Sequence, residues 1–244
     1  MKTQRRRFLT AAATLGIAGF AGRRSSLAAE GAEKPGRAKP GAQKGPAAGE
    51  EIPATEDLMR EHGVLNRILL IFEEGRRRLR AEREVPSEVF HASATLVRKF
   101  VEDYHEKLEE SFIFPKFEKR GKLVELVGVL RKQHAAGRLL TDIILRQSTV
   151  GRFSQDSARR EVRDACGAFI RMYRPHEARE DTILFPALRK IVTAAEIDEL
   201  GDQFEDEEKR RFGEEGFEKT VDQVAAIEKQ LGIWELDQFT PRGR

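Results

Sequence analysis

Cysteine is almost missing from this chain, whose 244 residues contain a single one, Cys166. One cysteine closes no internal disulfide, and without a CxxC or Cys/His cluster there is no thiolate set for zinc or an iron–sulfur cluster. Any metal has to be held by imidazole and carboxylate. No run of about 20 predominantly apolar residues is present either, so stable membrane insertion as a helix is not expected. A basic stripe interleaved with aromatics is also lacking. Residues 1–50 hold ten Lys and Arg against three Asp and Glu, which leaves 34 against 38 for residues 51–244. The net charge of +3 therefore arises in the N-terminal segment, the body is slightly acidic, and no nucleic-acid partner is expected.

That N-terminal segment reads Thr3-Gln4-Arg5-Arg6-Arg7-Phe8-Leu9-Thr10, then a weakly apolar stretch from Ala11 to Gly22, then Ser26-Leu27-Ala28-Ala29 with small-residue cleavage character. Residues 1–29 resemble a twin-arginine signal peptide, which implies the Tat export machinery as a partner and a periplasmic or secreted location. Residues 30–54 are dominated by Gly, Ala, Pro and Lys, a flexible-linker composition that cannot bury a core.

From Thr55 onward the texture is helical. The spacing predicts helices over roughly 55–83, 87–119, 122–149 and 155–190, each with an apolar stripe at steps of three and four. Leu58, Leu65, Leu69 and Phe72 mark the first stripe; Ala94, Val97, Val101, Leu108 and Phe112 the second; Leu123, Val127, Leu130, Thr141 and Ile144 the third; Val162, Ala165, Phe169, Met172 and Ile183 the fourth. Each stripe contains one histidine: His62, His105, His134 and His176. Short connections make sequential neighbours antiparallel, so the expected fold is all-α, an up-down-up-down four-helix bundle over 55–190. Residues 191–244 form a C-terminal helical extension. It opens with a Thr193/Glu196 capping box and carries a charged run, Glu205 to Arg211, read as a solvated face.

Two segments repeat one motif. His105-Glu106-Lys107-Leu108-Glu109-Glu110-Ser111-Phe112-Ile113-Phe114-Pro115 recurs as His176-Glu177-Ala178-Arg179-Glu180-Asp181-Thr182-Ile183-Leu184-Phe185-Pro186, 71 residues on, and the single histidines His62 and His134 are 72 apart. The body is a duplicated helical hairpin. Residues i and i+4 share a helix face, so His105 with Glu109, and His176 with Glu180, reach into one cavity. With His62 and His134 they make six donors. Burying these groups together without a cation costs several kcal/mol per unpaired charge. Carboxylate-bridged dinuclear sites in bundle cores are built from such sets.

Glu180 is preferred over Asp181 as the inner carboxylate, because four residues turn an α-helix about 40° from the His face and five about 140°. Glu106 and Glu177 lie at about 100° and are read as outer or rim groups. Tyr104, Tyr173 and Cys166 are assigned to core packing, His91 to the surface. Pro115 and Pro186 are expected to kink or end their helices.

The pattern H, HExxxE, H, HExxxE with a following [IL]FP resembles the hemerythrin HHE cation-binding family over roughly residues 55–190. The resemblance implies a non-haem di-iron centre, with manganese as an alternative metal. One ion would take His62 and His105, the other His134 and His176, with Glu109 and Glu180 bridging. It implies binding or sensing of dioxygen, nitric oxide or peroxide, with two alternatives: a peroxidase-, catalase- or nitric oxide-reductase-like enzyme, or an iron buffer or sensor. Oxygen-carrying relatives have a further His where this chain has Arg138, so simple reversible oxygen carriage is not what the pattern favours.

Overall fold

The computed structural model describes residues 52–241, which are helices and connecting turns with no strand among them. The expected signal peptide, residues 1–29, and the linker as far as residue 51 lie outside the described residues.

Four rods make the bundle. The first is Ala54–Arg80. The second spans 87–120: α-helix Ser87–Leu96, π-helix Val97–His105, a turn Glu106–Leu108, π-helix Glu109–Ile113, and α-helix Phe114–Arg120. The third is Val124–Gln147. The fourth spans 156–191: Asp156–Arg179, π-helix Glu180–Leu184, and Phe185–Ile191. Punctuation follows local chemistry, with Pro86 ahead of the second rod and Gly121 closing it in the left-handed region at φ 59°.

Cross-rod contacts fix the alternation of direction. Thr55 at the start of the first rod meets Arg189 at the end of the fourth, Gly75 meets Phe90, Glu118 meets Arg131, and Gln147 meets Glu161. The core fills the space between the rods with side chains such as Leu58, Leu65, Phe72 and Phe169, all essentially fully buried. Phe72 and Phe169 meet edge to face at 5.7 Å. Each such ring contributes about 1.5–3 kcal/mol through burial. The expected all-α bundle is what forms.

Two expectations about register need correction. Ile183, seven residues after His176, is 41% exposed, and Phe112, seven after His105, is only half-buried, whereas Leu184 and Ile113, eight after, are fully buried. The π-helical turns supply the reason, because i→i+5 bonding inserts one extra residue and delays the apolar face by one position. Nor do Pro115 and Pro186 end their rods. Each sits in the first turn of the α-helix that follows a π segment, where a missing N–H is tolerated.

The extension forms a fifth helix, Ala194–Phe212, opened by the Thr193/Glu196 capping box, and a sixth, Gly216–Leu231, closed by Gly232 at φ 70°. Both pack on the first two rods. Phe212 meets Tyr104 at 5.4 Å, and Arg67 holds Glu228 through two bonds of 3.0 and 2.5 Å. The charged run is not wholly solvated as expected, since Glu205 and Glu208 are buried. Glu208 accepts the Phe217 N–H at 2.6 Å, satisfying an otherwise orphaned donor at the start of the sixth helix. Among the described residues no helix is long and apolar enough to cross a membrane.

Candidate metal centre

The six predicted donors meet in one place, at mid-height of the four rods. His62, His105, His134 and His176 are at most 4% exposed, and Glu109 and Glu180 are completely buried. The imidazoles form two close pairs, His62 with His105 at 4.7 Å between ring centres and His134 with His176 at 5.0 Å. Each carboxylate spans both pairs. Glu180 Oε2 lies 3.4 Å from His62 Nε2 and 3.1 Å from His176 Nε2. Glu109 Oε2 lies 3.8 Å from His105 Nε2 and 3.4 Å from His134 Nε2.

Every ring also presents Nδ1 to an outer acceptor oxygen. His62 Nδ1 meets Asp181 at 2.7 Å, His105 meets Glu61 at 2.8 Å, His134 meets Glu110 at 3.1 Å, and His176 meets Gln133 at 2.9 Å. Nδ1–H donates outward, so the Nε2 lone pairs turn inward, which is how metal-binding imidazoles are oriented. His134 Nε2 and His176 Nε2 consequently face each other at 3.2 Å. At that separation the two nitrogens need a proton or a cation between them. Both oxygens of Glu109 and of Glu180 are buried without a hydrogen-bond partner. Leaving four such atoms unsatisfied is costly, and a pair of cations satisfies them. Three groups have donor atoms close enough to hold an ion: Glu109–His134–His176–Glu180 and His62–His105–Glu109, which share Glu109 and use only the six predicted residues, and Glu106–Glu110–His134 on the outer side of His134.

The electrostatics tell the same story. Burial and the neighbouring Glu180 charge push Glu109 well above the usual carboxylate range. Glu180, despite burial, is held well below that range by His176 and His62. Burial alone would depress His62, but Asp181 and Glu180 together raise it well above 6.5. His134 is pushed down to about 4 by burial, with the His176 charge adding to it. Burial lifts Glu106 and Glu177 to about 8.

Asp181 is outside the inner set, as expected, yet it reaches the His62 ring, because the wider π turn at Glu180–Leu184 rotates less per residue and leaves it nearer the His face than α-helical geometry would. Tyr173 does more than pack. Its hydroxyl donates to Glu106 at 2.6 Å, and Arg138 bridges Glu106 and Glu110 at 2.6 and 2.7 Å. Gly137 makes room for this, since a Cβ there would lie 2.1 Å from the Tyr173 hydroxyl. His91 is exposed and apart from the centre, as expected. The outer acceptors Glu61, Glu110 and Gln133 were not predicted. The repeat contained the signal, because Glu61 and Gln133 each precede a single histidine by one residue and Glu110 is the repeat partner of Asp181.

The hemerythrin HHE cation-binding domain family matches residues 54–147, the first three rods. Uncharacterized proteins of Mycobacterium bovis and Mycobacterium tuberculosis are 53% identical over 194 residues, covering 79% of this chain and 76% of each relative. No solved structure matches the chain significantly. With the doubled motif folded around one pocket, this chain belongs to the hemerythrin HHE cation-binding family.

Proposed function

We propose that the protein is a non-haem di-iron protein whose centre binds or senses a small oxidant or diatomic: dioxygen, nitric oxide or peroxide. His62 and His105 would hold one ion and His134 and His176 the other, with Glu109 and Glu180 available to both. The observation that carries this reading is the pair of fully buried carboxylates whose four oxygens lack hydrogen-bond partners amid four inward-facing Nε2 atoms. Imidazole and carboxylate in this proportion suit iron and accept manganese. Bound iron would supply redox chemistry and small-ligand affinity in this pocket. The chain's own groups orient the imidazoles through Asp181, Glu61, Glu110 and Gln133, and keep the pocket dry with Phe114 and Phe185 stacked on His134 and His62.

Metal analysis joined to an electronic spectrum tests the reading. Purified protein should contain close to two irons per chain, and its spectrum should change on adding dioxygen, nitric oxide or peroxide. His105→Ala and His176→Ala should each lose metal. Full folding and protease resistance with no metal bound at any concentration would overturn the proposal. The twin-arginine-like residues 1–29 support a periplasmic or secreted setting, which fractionation of cells expressing the full chain checks. Export after folding would let cytoplasmic metal availability choose iron over copper, which the donor set otherwise prefers.

A further inference from the structure

We infer that the two metal positions are unequal, the His62/His105 position binding its ion more tightly and the His134/His176 position holding an exchangeable one; this rests on the dinuclear reading above. Closest to the ions the arrangement is symmetric, two imidazoles per position with both carboxylates shared. The duplication also repeats the outer contacts, His62 to Asp181 matching His134 to Glu110, and His105 to Glu61 matching His176 to Gln133. Any inequality must therefore come from residues that differ between the repeats.

Three such exchanges surround the centre, and all have the same sign. Glu61 behind His105 is a carboxylate, whereas Gln133 behind His176 is a neutral amide. Asn66, which bonds Glu177, is neutral, whereas its counterpart Arg138 is a cation that bonds Glu106 and Glu110. Lys107 pairs with Glu110 at 2.6 Å, whereas its counterpart beside Asp181 is Ala178. The His62/His105 position is thus backed by two carboxylates, neither of which pairs with Lys or Arg among the described residues. The His134/His176 position is backed by one carboxylate already neutralised by two cations. A carboxylate on Nδ1–H makes the imidazole a stronger donor, and removing such a partner typically lowers metal affinity about 10- to 100-fold. Nearby positive charge weakens cation binding further.

Anaerobic calorimetric titration of the metal-free full chain with ferrous iron, repeated with Mn(II) as a less easily oxidised probe, tests this. Two steps should resolve, separated by about 10-fold or more in affinity. In crystals holding one equivalent of metal, anomalous scattering should lie at His62 and His105. Gln133→Glu should draw the two steps together, and Glu61→Gln should weaken the tighter step while leaving the weaker one in place. The ratio of the steps is the readout: both variants should shrink it, Gln133→Glu by tightening the weaker step and Glu61→Gln by weakening the tighter one, whereas a merely structural role would weaken both steps together; should one variant fail to fold, the other still decides. Two equal steps, first occupancy at His134/His176, or a ratio indifferent to both substitutions would overturn the inequality while leaving the dinuclear reading intact. No binding of either metal by the wild-type chain would overturn both.

Discussion

At the scale of single residues, the centre depends on groups that never touch a metal. Gly137 is one. A methyl group there would drive into the Tyr173 hydroxyl and ring, at 2.1 and 2.9 Å, so Gly137→Ala should cost roughly 1–3 kcal/mol through overpacking. Denaturant unfolding measures the loss, and a variant as stable as the parent would show that the rods slide apart freely. The clustering of the six side chains was legible, because a motif written twice at one spacing is improbable without shared geometry. Glu61 and Gln133 were not, because an acidic or amide residue beside a histidine looks like any exposed helix position until the partner rod arrives.

At the scale of elements, the notable device is the π-helical turn. It places Glu180 inward and Asp181 on the neighbouring histidine, and it moves the buried apolar position from Ile183 to Leu184. Periodicity read at 3.6 residues per turn located every rod but missed this shift, since the extra residue leaves no compositional mark. The sixth helix poses a different question, how an extension is fastened to a bundle. Arg67 meets Glu228 with a two-point contact on the first rod, and Trp234 lies over the same guanidinium at 5.6 Å. Glu228→Gln should therefore lower stability by roughly 1–2 kcal/mol, allowing for the partial exposure of Arg67. Proteolysis should then begin within Gly216–Leu231, and a cleavage pattern identical to the parent's would count against this anchoring.

At the scale of the whole molecule, stability, acidity and metal are linked. Glu106 and Glu177 have pKa values near 8 in the folded metal-free chain against an ordinary 4.5. A carboxyl raised on folding contributes stability that is complete below about pH 4.5 and is lost as pH rises through 8. His134, lowered from 6.5 to about 4, acts at the acid side, costing stability as pH falls from 6.5 towards 4. Between pH 6.5 and 8 only the carboxyl loss operates among these three, so the melting temperature of the metal-free chain should fall across that window. Bound cations offset the carboxylate charge and should flatten the slope, while chelation should lower the melting temperature most at the alkaline end. A metal-free chain whose melting temperature holds level from pH 6.5 to 8 would contradict this linkage.

Several properties were determined by the order of residues alone: helices from Thr55 onward, their antiparallel sequence, the internal duplication, and the gathering of His62, His105, Glu109, His134, His176 and Glu180 into one pocket. All of these follow from spacing along one chain, which helix periodicity converts directly into a shared face. Only the tertiary structure decided which oxygen backs each imidazole, where the π turns shift the register, and that Arg138 and Lys107 load positive charge onto one half of a near-symmetric pocket. Those outcomes depend on distances between rods, and no periodicity within a single rod encodes them.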